Sequence, residues 1–349
     1  MSASSTEGSG PRVLCTRPLP DATLARLAAA CSLDCGEGSG PLARDELLRR
    51  VAPVEGLVVM PGERVDAELC DAAPELRVVS TVSVGFDHID VAELGRRGIA
   101  CGHTPGVLTD ATADLTFALI LAVARRIVEA HDAVVTGRWP AWAPSFMLGR
   151  ELAGSTLGIV GLGRIGAAVA RRARAFNMEV LATTRRLPAP EGVEVVSLDE
   201  LLGRAEYVSL HVALTPETRH LIGRRELEMM RRDAVLINTA RGAVVDQEAL
   251  VEALGAGVIA AAGLDVVEQE PISPDDPLLA QANCLVLPHI GSATVATRRA
   301  MAELAVDNLL AGLAGTALPH AVTLSESSLS GPRGRRREQG GRSDGNLDS

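Results

Sequence analysis

The sequence contains no lysine; all 34 of its Lys+Arg residues are arginine. That absence excludes a lysine Schiff base, a pyridoxal-phosphate anchor, a G-x-x-x-x-G-K-[ST] phosphate loop and a kinase phosphate-binding lysine. Aromatic residues are scarce at 2%, and the formal net charge is −10. A chain without stacking rings and with an acidic balance is not expected to bind nucleic acid. No apolar run approaches the ~18 residues that span a bilayer. The N-terminal MSASSTEGSG lacks the charged-then-apolar order of a signal peptide. No membrane association is therefore expected, and the cytoplasm is the expected compartment. The six cysteines are scattered, and the one C-x-x-x-C pair, Cys31 and Cys35, has no second Cys or His pair at zinc spacing. Reduced thiols and no metal site are expected.

What is present is aliphatic: hydrophobic residues make up 47% of 349 residues, enough for about two domains. Residues 1–10 and 324–349 are small, polar or Arg-rich and are expected to be disordered tails. Between them, short apolar runs alternate with helical stretches. RVLCT, GLVVM, LRVVST and GIACG read as strands, and DATLARLAAA, RDELLRRVA, DAELCDAA and DVAELGRRG as helices. This alternation predicts α/β architecture with parallel sheets covered on both faces. Residues 109–135 have no Pro or Gly, and one long helix, apolar around much of its circumference and so buried, is predicted there. A second alternating set follows, from STLGIVGLG through EVLATT, YVSLHVA, AVLINTA and IAAAGLDV to CLVLPHI. A last helix at about 295–312 is expected to return the chain toward the first set.

Gly161-Leu162-Gly163-Arg164-Ile165-Gly166 is G-x-G-x-x-G between a predicted strand and a predicted helix. That context makes it a dinucleotide loop: a tight turn, close approach to a pyrophosphate, and a helix N-terminus facing its charge. An NAD enzyme places an acid at the end of the next strand, about 20 residues on, for the ribose 2′-OH. Here that strand ends Thr184-Arg185-Arg186. A carboxylate would repel a 2′-phosphate, whereas a guanidinium pairs with it. NADP, used as NADPH, is the predicted cofactor, with Arg185 or Arg186 as the phosphate clamp and NAD as the alternative.

Arg241 in LINTARGAVVD, Glu270 in GLDVVEQEP and His289 in LVLPHIGSAT all follow predicted strands, at the sheet edge where ligands bind. Singly, each has an ordinary reading: a loop ion pair, a surface acid, a core histidine. Together with the Gly loop, and with SVGFDHID, TPGVLTDATADLTFALIL, LTPETRHLI and INTARGAVVDQEAL in the same order, they give a chain that resembles the D-isomer-specific 2-hydroxyacid dehydrogenases over about residues 11–323. The likeness is greatest to the glyoxylate/hydroxypyruvate reductase branch.

The resemblance implies two doubly wound domains. A flavodoxin-like substrate domain would comprise 11–107 and 294–323, and a Rossmann coenzyme domain, 108–293, would be inserted in it. It implies a small 2-oxo or 2-hydroxy acid as substrate. Arg241 would hold its carboxylate and carbonyl, and the backbone amides of Val84 and Gly85 its carboxylate. His289 would act as general acid, oriented by Glu270. Asp265 matches a residue that binds the nicotinamide carboxamide, though a turn cap is another use for it. Ser292 is either a substrate contact or a helix cap. The long helix is expected to form a homodimer interface, with Trp142, one of two tryptophans in a chain poor in aromatics along with Trp139, packing across it near the partner's cleft as a substrate-binding residue; packing within its own subunit is the other use for it. The alternatives are an NAD-dependent enzyme such as a D-3-phosphoglycerate dehydrogenase, or a dinucleotide-sensing scaffold like the co-repressors of this fold.

Overall fold

The structure, a computed structural model, describes residues 10–184 and 188–322. The first sheet is built from β1 (Arg12–Cys15), β2 (Ser32–Cys35), β3 (Gly56–Val59), β4 (Val78–Thr81) and β5 (Ala100–Gly102), in the order β2-β1-β3-β4-β5, all parallel. This is the flavodoxin-like order. Helices α1 (Asp21–Ala30), α2 (Arg44–Val51), α3 (Ala67–Ala72) and α4 (Val91–Arg96) cross between the strands. Two of them start where an acid accepts an orphan backbone N–H: Asp66 caps α3 and Asp90 caps α4.

The chain then runs through α5 (Thr109–Ala124) and α6 (Ile127–Val135) into the second sheet. That sheet contains β6 (Thr156–Val160), β7 (Glu179–Thr183), β8 (Glu194–Val195), β9 (Tyr207–Leu210), β10 (Val235–Asn238), β11 (Ala261–Leu264) and β12 (Cys284–Val286). Its order, β12-β11-β10-β9-β6-β7-β8, is the doubly wound order with its switch point between β6 and β9. Helices α7 (Arg164–Ala175), α8 (Leu198–Arg204), α9 (Arg224–Met229) and α10 (Gln247–Gly255) cover it. The last helix, α11 (Val295–Leu313), lies on the first sheet. Gly56 and Gly312 are the close approaches, facing Leu309 and Val78 respectively, and Ser80 Oγ donates to the Ala305 carbonyl at 2.8 Å. Met301, Ala305, Val306 and Leu309 share one buried cluster with Val13, Val58 and Val78. The predicted pair of parallel-sheet α/β domains is thus the observed architecture.

Two expectations are corrected. The helix predicted over 109–135 is two helices. Arg126 takes a left-handed conformation (φ 53°), and the Ala124 carbonyl accepts the Arg150 N–H at 2.8 Å instead of continuing the helical ladder. Only α5 is packed on most of its surface, burying Phe117, Leu119 and Ile120 against the second sheet, while α6 leaves Ile127, Val128, Val134 and Val135 exposed. Strand β2, SLDC, was not anticipated: a four-residue edge strand with only partial burial carries little hydrophobic pattern. Among the described residues, no helix is long and apolar enough to cross a membrane.

Candidate active site

Three adjacent strands of the second sheet end at the residues singled out from the sequence, and a continuous hydrogen-bonded path joins those ends. After β10, the buried Asn238 accepts the Ala240 N–H (3.0 Å) through its side-chain oxygen and donates to the Arg241 carbonyl (2.9 Å). The Asn238 carbonyl accepts the Asp265 N–H (2.9 Å) just past β11. The Asp265 carbonyl in turn accepts the His289 N–H (2.9 Å), and its two carboxylate oxygens accept Ile290 N–H and Gly291 N–H, each at 2.7 Å. Asp265 is 1% exposed, and burial pushes its carboxyl above the usual carboxylate range although these two amides pull it down. The carboxylate therefore caps the His289 turn. That turn is needed because His289 sits at φ 55°, a left-handed conformation costing roughly 1–2 kcal/mol for a residue with a Cβ.

Glu270 Oε2 lies 2.7 Å from His289 Nδ1, and Glu270 Oε1 accepts the Val267 N–H at 3.2 Å. The carboxylate is thus anchored to its own loop and aimed at the ring. That loop meets the Arg241 loop at Gly242, where a Cβ would lie 1.9 Å from the Val267 carbonyl group. Only glycine permits this approach.

Arg241 reaches across to the first sheet. Its Nε donates to Asp87 Oδ1 at 2.9 Å and its Nη1 to the Ala240 carbonyl at 2.8 Å. Its Nη2 lies 1.9 Å from where a Cβ on Gly85 would stand, so the guanidinium rests on the bare Gly85 backbone. The loop after β4, with Val84 and Gly85, is thereby brought under Arg241. Ser292 is partly exposed in the His289 loop. It is not the cap of α11, since Thr294 Oγ1 accepts the Thr297 N–H. Trp142 is 82% exposed and Trp139 also lies open, in the same stretch of chain as exposed Val134, Val135 and Leu148.

At the switch point of the second sheet, Gly161 adopts φ 99°, and a Cβ there would stand 2.8 Å from the His211 carbonyl oxygen. A Cβ on Gly166 would stand 2.2 Å from the Gly161 carbonyl oxygen, so strand and helix touch there. Gly163 has open space around it, and no side chain caps α7, whose first residues are Arg164 and Ile165. An uncapped helix start behind an open glycine offers backbone N–H groups to a pyrophosphate, so these residues fit a dinucleotide. Ile165 packs against both the second-sheet core and the cluster under α11. Thr184 follows the last residue of β7, while Arg185 and Arg186 lie outside the described residues.

The profile of the family described as D-isomer specific 2-hydroxyacid dehydrogenase, NAD binding domain, matches residues 117–291. A glyoxylate reductase of Korarchaeum cryptofilum is 49% identical over 317 residues, covering 89% of this chain and 96% of that protein. A crystal structure of the TT0316 protein from Thermus thermophilus superimposes with a TM-score of 0.84 at 51% identity, over 89% of this chain and all of that one. An NADPH-dependent glyoxylate/hydroxypyruvate reductase of Sinorhizobium meliloti, solved with NADP and malonate, gives 0.79 at 34% identity, over 90% and 97%. The chain belongs to the D-isomer specific 2-hydroxyacid dehydrogenase family. Within it, the chain stands in the glyoxylate reductase branch and is an NAD(P)-dependent oxidoreductase.

Two residues of this dehydrogenase's site escaped the sequence reading. Asp87 holds Arg241 from the other sheet, and Asn238 ties the Arg241 turn to the strand end. SVGFDHID and LINTARG contain both, but an acid in a loop carries no signal until the sheets are seen facing each other, nor an amide at a strand end until the turn after it is seen.

Proposed function

We propose that this dehydrogenase reduces small 2-oxo acids, glyoxylate and hydroxypyruvate, to glycolate and D-glycerate with a preference for NADPH. The observation that carries this reading is the pair His289 Nδ1 and Glu270 Oε2 at 2.7 Å, on a loop tied to Arg241. With Nδ1–H given to Glu270, the outer nitrogen of His289 is the one available to a substrate oxygen. Val84 and Gly85 amides and Arg241 bind the substrate carboxylate; Arg241 also polarises the adjacent carbonyl. When bound, the nicotinamide supplies the hydride to the carbonyl carbon. His289 delivers its proton to the carbonyl oxygen, and Glu270 stabilises the imidazolium that donates it. Ser292 faces the hydroxyl that hydroxypyruvate has and glyoxylate lacks.

Gly161, Gly163, Arg164, Ile165 and Gly166 would hold the pyrophosphate, Asp265 would bind the carboxamide, and Thr184 with Arg185 and Arg186 would receive the 2′-phosphate. The substrate domain is assigned to 11–107 and 294–323, and the coenzyme domain to 108–293; the packing of α11 on the first sheet supports this division. The preference for NADPH is tested by kcat/KM for glyoxylate, hydroxypyruvate and larger 2-oxo acids with each cofactor. One charge-assisted contact to the extra phosphate gives about a 10- to 100-fold advantage for NADPH. Equal or better values with NADH contradict it.

The exposed apolar side chains of α6 and the loop after it, among them Val134, Val135, Trp139, Trp142 and Leu148, support a homodimer covering this face. Light scattering at micromolar concentration is expected to give twice the chain mass; a monomer rules the dimer out.

A further inference from the structure

We propose that Thr81, Ser83 and His88 form a one-directional hydrogen-bond relay that sets the peptide planes of the Val84–Gly85 loop, making them positioning residues for the substrate carboxylate. This rests on the reading above, in which that loop binds the carboxylate.

The loop leaves β4 with three successive carbonyls held by hydrogen bonds. Ser83 C=O accepts the Thr104 N–H at 2.9 Å, Val84 C=O lies 2.9 Å from His103 Nδ1, and Gly85 C=O accepts the Ser83 hydroxyl at 2.6 Å. In a trans peptide the N–H points opposite to the C=O of its own plane. Fixing these carbonyls therefore fixes the direction of the N–H groups of Val84, Gly85 and Phe86, each opposite to the carbonyl of its own plane. Among the described residues, none of the three has a protein acceptor. Three consecutive N–H groups without a protein acceptor, with the Arg241 guanidinium resting on Gly85 in their midst, are donors available to an anion.

Proton counting gives the relay its direction. A carbonyl only accepts, so the single hydroxyl proton of Ser83 goes to Gly85 C=O. With the Ser83 proton spent, Thr81 Oγ1, 2.7 Å from Ser83 Oγ, must donate its own proton to Ser83. His88 Nε2, 3.1 Å from Thr81 Oγ1, must therefore carry a hydrogen and donate to Thr81. The order is His88 Nε2–H to Thr81, Thr81 to Ser83, Ser83 to Gly85. Thr81 is fully buried and Ser83 nearly so, so water does not replace a missing member. Burial lowers the His88 pKa to about 4, although Asp87 pulls it up, and the ring stays neutral at neutral pH. By the same counting His103 holds its hydrogen on Nδ1, facing the Val84 carbonyl, with the ring edge-on to Phe86. The two histidines thus carry opposite tautomers.

The test has two arms on the full chain. Nitrogen chemical shifts of the imidazoles, read without substrate, are expected to show the Nε2–H form for His88; the Nδ1–H form overturns the relay. In steady-state kinetics, Ser83→Ala and Thr81→Val are each expected to raise KM for glyoxylate and Ki for oxalate about tenfold. Both should leave kcat within about threefold and KM for the cofactor unchanged, because carboxylate contacts are made equally in ground and transition states. Thr81→Ser, which keeps the hydroxyl, is expected to restore the original KM, which a mere packing role would not require. Unchanged KM in both variants, or equal damage to cofactor binding, overturns the positioning role. If glyoxylate is not turned over by the unaltered chain, the functional reading fails instead, and the His88 tautomer is still decided.

Discussion

Replacing His289 by alanine is expected to lower kcat/KM for glyoxylate reduction by about 10²- to 10⁴-fold, the range a positioned general acid supplies. The residue is held at both backbone and ring. Its backbone is fixed by Asp265 in a left-handed conformation that costs a histidine energy, and Nδ1 lies against Glu270. A residue held this way has little orientation to lose on reaching the transition state. The loss should therefore fall mainly in kcat, with KM for the acid near its original value, since under the proposed reading the amides and Arg241 still bind the carboxylate. The comparison needs only initial rates and a circular dichroism spectrum. A variant that folds and turns over within a few-fold of normal removes His289 from the chemistry.

Arg241→Ala is expected to cost about 10²–10³ in kcat/KM, the scale for removing one preorganised electrostatic group. Here both kcat and KM should suffer, because in the proposed reaction one guanidinium serves the carboxylate, present throughout, and the carbonyl oxygen, whose charge grows during reaction. Arg241→Lys should recover little. The arginine spends Nε on Asp87 and Nη1 on the Ala240 carbonyl while Nη2 lies over Gly85, and a single ammonium cannot hold this fork. The absence of lysine from the chain is compatible with this site without being evidence for it. Steady-state kinetics on the two variants check the prediction. Full recovery by lysine would show that only the charge matters.

Much of this was legible in the sequence, for identifiable reasons. The Gly161–Gly166 loop could be read because its spacing answers a steric need that the structure displays: a left-handed turn at Gly161 and strand–helix contact at Gly166. Arg241, Glu270 and His289 could be placed at strand ends because the strands before them are near-continuous aliphatic runs, as buried parallel strands are. The helix break at Arg126 could not, because it depends on Ala124 being bonded by Arg150, twenty-six positions beyond it in the chain. Asp87 and Asn238 stayed hidden for a related reason. Their partners, Arg241 and its turn, become their neighbours only through sheet-to-sheet packing and loop closure. The relay behind Gly85 is made of common small polar residues whose roles depend on which proton goes where.

The measurement that bears most directly on the account is NADPH oxidation by the unaltered chain with glyoxylate, with glycolate quantified at the end. Turnover on the order of 1–10³ s⁻¹, the usual span for enzymes, is expected, with one glycolate formed per NADPH consumed. A chain that binds the cofactor but reduces neither glyoxylate nor any other small 2-oxo acid would contradict it, and would point to a dinucleotide-sensing scaffold.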